Sequence, residues 1–233
     1  MDNGIAAVDR GTIRERTEAA LRQAIVEGRL APGEKLVERE LCDALQVSRG
    51  SLREALRSLA AEGFVDNVPH RGPSVASISA DQAREIYAVR EALEGLAART
   101  LAERQDPHAI ASLQQALDKL RRLQRRKADP ASLVAVKAEF YRALFDGAGN
   151  ATLGAIIGTL LARISVLRRA SLSRAGRLPE SVDEIAAIVD AIRAGDPDRA
   201  ESASRLHVRH ACLAALPLLA TSSHSPTPSR STN

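Results

Sequence analysis

The 233-residue sequence predicts a mainly α protein in two parts: three helices with a β-hairpin, then an all-α helical bundle. Apolar residues recur at helical spacing through most of the chain, and short β-type segments occur only near residues 64–76. Asp106-Pro107, Asp129-Pro130 and Asp196-Pro197 each place an Asp cap before a Pro at the first helical position, which divides the second half into successive helices.

Taken in order, residues 1–11 read as a flexible leader and residues 12–78 as the first domain. Leu21, Ala24 and Ile25 mark a helix from Thr12 to Glu27, stopped by Gly28. Pro32-Gly33 turns the chain into a short helix, about Glu38 to Leu45. Ser48 caps a third helix from Arg49 to about Glu62, with Leu52, Leu56 and Leu59 on one face. Phe64-Val65 and Val75-Ala76 then flank a hairpin tip at Pro69-His70-Arg71-Gly72-Pro73. Residues 79–219 form the second domain, opened by the capping box Ser79-Ala80-Asp81-Gln82. Its expected helices span roughly 80–104, 107–127, 130–146, 150–174, 181–194 and 197–219, the fifth begun by a box at Ser181-x-x-Glu184. The Ser/Thr/Pro-rich residues 220–233 read as a disordered tail.

Composition narrows the function. No apolar run approaches the ~20 residues of a membrane span, and no signal peptide is visible, so a cytoplasmic protein without a membrane partner is expected. Cys42 and Cys212 stand alone and are read as small buried residues. Aromatics at 2%, with no Trp, argue against stacking single-stranded nucleic acid or sugars. The net charge of +4 is not concentrated in the first domain, where 11 Lys and Arg face 12 Asp and Glu in residues 1–78. Any DNA contact there rests on where individual arginines sit.

Three helices and a β-hairpin of this kind make a winged helix-turn-helix, whose second motif helix enters the major groove. Arg49 and Arg53 are one turn apart, on a different side from Leu52 and Leu56, so both can face a groove. Each guanidinium can give two hydrogen bonds to guanine. Ser48 and Ser51, at the helix N-terminus, suit a phosphate, and Arg39 can hold the backbone or reach a base. His70, Arg71 and Gly72 at the wing tip suit a minor groove. Taken alone, such an arginine pair also describes a solvated helix face, with Glu54 neutralising Arg53.

The wider pattern supports the DNA reading. Pro32-Gly33-Glu34-Lys35-Leu36, Glu38-Arg39-Glu40-Leu41, Val47-Ser48-Arg49, Leu52-Arg53-Glu54-Ala55-Leu56-Arg57, Glu62-Gly63-Phe64-Val65 and Arg71-Gly72 follow in the order of the DNA-binding head of GntR-type regulators, which residues 12–76 resemble. The resemblance implies DNA contacts at Arg39, Arg49, Arg53, His70 and Arg71, with Arg57 at most a flanking or phosphate contact. Gly50-Ser51 departs from the Thr-Pro often found there, which bears on the bases read.

Residues 79–218 resemble the FCD domain of the FadR-type subgroup in its shorter, six-helix version. The matching residues are Arg90-Glu91-Ala92-Leu93-Glu94, Phe140 with Ala148-Gly149-Asn150, and Ile188-x-x-Ala191-Ile192-x-x-Gly195-Asp196 before His207. The resemblance implies a cavity in which many members hold a divalent metal through one Asp and three His, the metal in turn holding a carboxylate. Here Lys137, Tyr141 and Ile185 stand at three of those four positions and only His207 remains. One imidazole does not make a metal site, so no metal or other cofactor is expected.

Arg90, Lys137, Tyr141, Arg163 and His207 are instead the candidate ligand-binding residues. Arg90 interrupts the stripe of Ile86, Leu93 and Ala97, and Arg163 lies near Leu160 and Leu167. Buried cations call for internal carboxylates, such as Glu94 for Arg90, or for an anionic ligand. His207 reads equally as a core histidine or a contact. The run Arg121 to Lys127 reads as favourable charge at a helix C-terminus. The expected protein is a homodimeric, ligand-responsive transcriptional repressor on a palindromic double-stranded operator, with a small carboxylate-type metabolite as effector. The alternatives are a DNA-binding dimer whose helical domain senses nothing, and an enzyme using the helical cavity, for which no catalytic set is present.

Overall fold

A computed structural model describes residues 12–68 and 72–222. The expected leader at residues 1–11, the wing-tip residues His70 and Arg71, and most of the expected tail lie outside these described residues. The chain divides into two compact units, residues 1–77 and 78–233.

In the first unit, helix α1 runs from Ile13 to Glu27. Its start is a full capping box: the Thr12 hydroxyl accepts from the Glu15 amide, and the Glu15 carboxylate accepts from the Thr12 amide at 2.7 Å. Gly28 ends it with φ 71°, a left-handed conformation that side chains other than glycine adopt at a cost. Helices α2 (Glu38–Leu45) and α3 (Arg49–Ala61) follow, then β1 (Val65–Val68) and β2 (Gly72–Val75), paired antiparallel with Val65 opposite Val75. The segment before α2 joins this hairpin: the Leu36 amide donates to the Pro73 carbonyl and the Val75 amide to the Glu34 carbonyl, both at 2.9 Å. Leu21, Ile25, Leu36, Leu52, Leu56, Leu59, Phe64 and Val75 are buried together as the small core. Arg22 of α1 makes a forked ion pair with Glu62 beyond α3, at 2.7–3.0 Å.

The second unit comprises α4 (Ala80–Arg104), α5 (Pro107–Arg125), α6 (Pro130–Ala148), α7 (Ala151–Ser173), α8 (Arg177–Arg193) and α9 (Pro197–Ser222). The Asp caps hold: Asp106 accepts from the His108 and Ala109 amides, and Asp129 from the Ser132 amide. Helix α4 packs along α9, α5 against α6 and α8, and α7 and α8 against α9. Leu101, Leu113, Leu117, Phe140, Leu144, Ile164, Leu167 and Ile192 are fully buried between them. Each contributes on the order of 1.5–3 kcal/mol by leaving water. Close approach of α6 to α5 requires Gly147, where a Cβ would lie 2.4 Å from that of Ala109. Gln105, left-handed at φ 53°, closes α4 and gives its side-chain amide to the Ala102 and Ile192 carbonyls at 2.9 and 2.6 Å.

Two boundaries differ from the sequence reading. Helix α8 begins at Arg177, after Gly176 in a left-handed conformation, four residues before the expected box at Ser181. Ser181 is 1% exposed and its hydroxyl faces the bundle interior, so it cannot cap a helix end. Helix α9 continues to Ser222, so residues 220–222 belong to it and not to a tail.

Candidate nucleic-acid interface and buried charge cluster

Helix α3 divides as a groove-reading helix must. Leu52, Ala55, Leu56 and Leu59 are buried, while Arg49 and Arg53 are exposed. Ser48 caps the helix, accepting from the Ser51 amide at 3.2 Å, and its hydroxyl lies 3.0 Å from that of Ser51. Both hydroxyls therefore sit at the positive end of the helix dipole. Arg39 is exposed on α2. Arg53 is not free: its Nε donates to both Glu38 carboxylate oxygens at 3.0 Å. Glu54, the neighbour that a merely solvated helix face would pair with Arg53, pairs instead with Arg57 at 2.6 Å. Glu38, Arg53, Leu56, Arg57, Asn67 and Pro73 line a cleft of about 270 Å³ between α3 and the hairpin. Gly72 takes φ 78° with nothing within 4 Å of an added Cβ, so turn geometry requires glycine there, not crowding. At Gly50 an added Cβ would make only an ordinary contact with Ser48 Oγ, at 3.8 Å.

In the helical unit, Arg90, Lys137, Tyr141 and His207 are all buried, each 3% exposed or less. Arg163 is exposed on α7 and does not join them. The buried cation of α7 is Arg168, five residues on, which continues the stripe of Ile157, Ile164 and Leu167 on the inner face. Its guanidinium carbon lies 3.8 Å from the Tyr141 ring centroid. Arg90 pairs with Glu94 at 2.8 Å in full burial and lies 5.0 Å from the Tyr87 ring centroid. Arg177, also unforeseen, is fully buried and donates to Glu184 at 2.6 Å.

Glu184 organises the next layer. Its carboxylate accepts from Arg177, from His207 Nδ1 at 2.5 Å and from His210 Nδ1 at 2.7 Å. With Nδ1–H committed to Glu184, a neutral His207 turns the lone pair of Nε2 toward Lys137 Nζ, 3.4 Å away. Lys137 also donates to Ser181 Oγ at 3.0 Å. On the outer side Glu184 and His210, with Arg174, Glu180, Leu213 and Ala214, line an open pocket of about 440 Å³.

The ionisation equilibria follow from this placement. Burial, then the neighbouring charges of Arg168, Arg177 and Arg90, push the Lys137 ammonium well below the usual lysine range. Burial, then Lys137, brings His207 down to about 4. Burial lowers Arg168 to about 10 and raises Tyr87 to about 12. For Glu94, burial opposes ionisation, but Arg90 and Arg168 outweigh it and its pKa falls. Glu184 likewise reaches about 2, burial being overcome by hydrogen bonds from His207 and Arg177.

A divalent metal does not fit these residues. The Lys137 ammonium lies against the Nε2 that would face the ion, Ile185 is a fully buried hydrocarbon, and Glu184 is already shared among three donors. Glu139, a conceivable substitute, pairs with Lys119 at 2.6 Å on the surface. Among the described residues no three His, Cys, Asp or Glu side chains are grouped to hold a metal. Nor is any single described helix long and apolar enough to cross a membrane.

Comparison with known proteins agrees with both units. Residues 13–75 match the model of bacterial regulatory proteins of the gntR family, and residues 85–210 match the FCD domain. The chain is 30% identical over 209 residues to the "Probable D-xylose utilization operon transcriptional repressor" of Paenarthrobacter nicotinovorans, covering 89% of this chain and 91% of that one. It is 28% identical over 215 residues to the galactonate operon transcriptional repressor of Escherichia coli K12, covering 82% and 91%. The solved structure of E. coli McbR/YncC superposes with a TM-score of 0.74 at 22% identity, over 92% of this chain and all of that one, and shares the fold. The chain thus belongs to the GntR family of bacterial transcriptional regulators, with an FCD domain as its helical part.

Proposed function

We propose that the protein is a homodimeric repressor that reads a palindromic operator through α3 and the wing, and that a small anion bound in the helical unit controls it. The observation that carries the DNA reading is the division of α3, with leucines buried on one face and Arg49 and Arg53 exposed behind the Ser48 cap. Arg49 and Arg53 read bases, Ser48 and Ser51 hold a phosphate, and Arg39 anchors the backbone. His70, Arg71 and Gly72 follow the minor groove. Arg90, Lys137, Tyr141 and His207 contact the effector, and from α7 the buried Arg168 joins them in place of the exposed Arg163. Val89 and Leu96 on α4, and Leu206 and Leu213 on α9, are exposed apolar pairs seven residues apart, suited to a subunit interface. Repression accords with the relatives named above, which are called repressors of a D-xylose utilization operon and of a galactonate operon. Such a protein acts in the cytoplasm and catalyses no reaction.

Selection of bound duplexes from a random pool tests the proposal. Enrichment of an inverted repeat, lost in Arg49→Ala and Arg53→Ala, is expected. Recovery of duplexes without a shared sequence would contradict it.

A further inference from the structure

Among the described residues, two buried cations of the helical unit form no ion pair with a carboxylate. Arg90 has Glu94 and Arg177 has Glu184. Arg168, 3% exposed, forms no salt bridge among the described residues, and its buried Nε has no hydrogen-bond partner. Lys137, equally buried, meets the Ser181 hydroxyl and the His207 ring nitrogen and, among the described residues, no carboxylate. Both border Tyr141: the Arg168 guanidinium lies 3.8 Å from its ring centroid, and Lys137 is one turn away on the same helix. Arg90 Nη1 is a further buried donor without a partner in the same group, while the Tyr141 hydroxyl is turned to Glu94. Unpaired buried charge destabilises a protein, so its retention points to something that completes it.

We propose that this cluster takes a small dianion directly, one negative charge met by Arg168 and the other by Lys137, with no divalent metal between protein and ligand. The proposal rests on the effector reading above and names its chemical class. A single negative charge is met by Arg168 alone; burial and the neighbouring arginines disfavour the Lys137 ammonium, and a second negative charge is what holds it protonated. Lys137 stands against His207 Nε2, so the cation is part of the chain. The unpartnered Arg168 Nε and Arg90 Nη1 suit the several oxygens of a dicarboxylate or a phosphate monoester.

The full-length protein is melted in EDTA with succinate, inorganic phosphate, butyrate as the one-charge match of succinate, or chloride, at equal ionic strength. A dianion at about ten times its Kd is expected to raise the Tm by ~3–6 °C, with no such rise from butyrate or chloride. Lys137→Met and Arg168→Met should each remove the rise, and ligand-free Arg168→Met should melt no lower than wild type. A larger rise with succinate supports a dicarboxylate, and a larger rise with phosphate supports a phosphate monoester. Butyrate equal to succinate overturns the two-charge proposal and leaves an anion sensor standing. A rise that appears only when Zn²⁺ replaces EDTA overturns the metal-free arrangement. Equal melting in all four salts overturns the proposal. If Arg168→Met then also melts lower, the cluster is structural and the effector reading falls with it.

Discussion

Replacing Glu94 by Gln strands Arg90 inside the helical bundle. The two side chains are 1% and 0% exposed and meet at 2.8 Å, so water cannot take over from the lost carboxylate. Breaking such a pair from one side costs on the order of 3–5 kcal/mol, because the remaining charge stays buried. For a domain of this size that lowers the Tm by roughly 6–20 °C. Glu94 also offsets Arg168, which places the expected loss toward the upper end. Arg193 and Asp190, 3.9 Å apart and both more than half exposed, provide the control. Asp190→Asn should cost at most about 0.5 kcal/mol. Urea unfolding followed by tyrosine fluorescence is the suitable assay. The chain has two Tyr and no Trp, and Tyr87 and Tyr141 are both buried in the helical unit, so the signal reports that unit alone. A double replacement, Arg90→Met with Glu94→Leu, should recover part of the loss. If Glu94→Gln proves as mild as Asp190→Asn, the buried-pair reasoning is wrong.

Other expected outcomes follow from the same structure. His207, held at about 4 against an ordinary 6.5, stays neutral when folded while the unfolded chain takes up a proton. Its stabilisation is therefore complete above pH 6.5 and is lost as pH falls through 4, on the order of 3 kcal/mol in all. Glu184, held at about 2, extends the loss further into acid. His207→Gln should flatten the upper part of that pH profile, and an unchanged profile would contradict the assignment. Gly147→Ala should destabilise the helical unit by ~1–3 kcal/mol, because the new methyl meets Ala109 at 2.4 Å. Gly158→Ala, with nothing within 4 Å of its Cβ, should stabilise by ~0.5–1 kcal/mol. Equal effects at the two glycines would refute the close-packing argument.

The order of elements was legible because local signals repeat the same message. Asp106-Pro107 and Asp129-Pro130 act through chemistry within one helical turn, and the structure uses both as caps. Ser181-x-x-Glu184 has the same local form and a different role. Whether a Ser-x-x-Glu lies at a helix end or on a buried face depends on what packs against it, here Lys137, Arg177 and His207. Arg163 and Arg168 show a similar limit. Both follow apolar residues on one helix, and the register that puts Arg168 inward emerges only from counting back through Leu167, Ile164 and Ile157. That count was available in the sequence. The Arg53–Glu38 pair was not, because it joins two helices whose crossing the sequence does not give.

Operator discrimination by α3 can be measured directly. Full-length wild type and the double variant Arg49→Ala, Arg53→Ala are titrated by fluorescence anisotropy, at one fixed salt concentration, against the selected duplex and a scrambled duplex of equal length. Wild type should prefer the selected duplex, and the variant should lose ~1–3 kcal/mol of that preference for each arginine, binding the two duplexes nearly alike. A variant that still discriminates as wild type does would mean that α3 does not read the DNA.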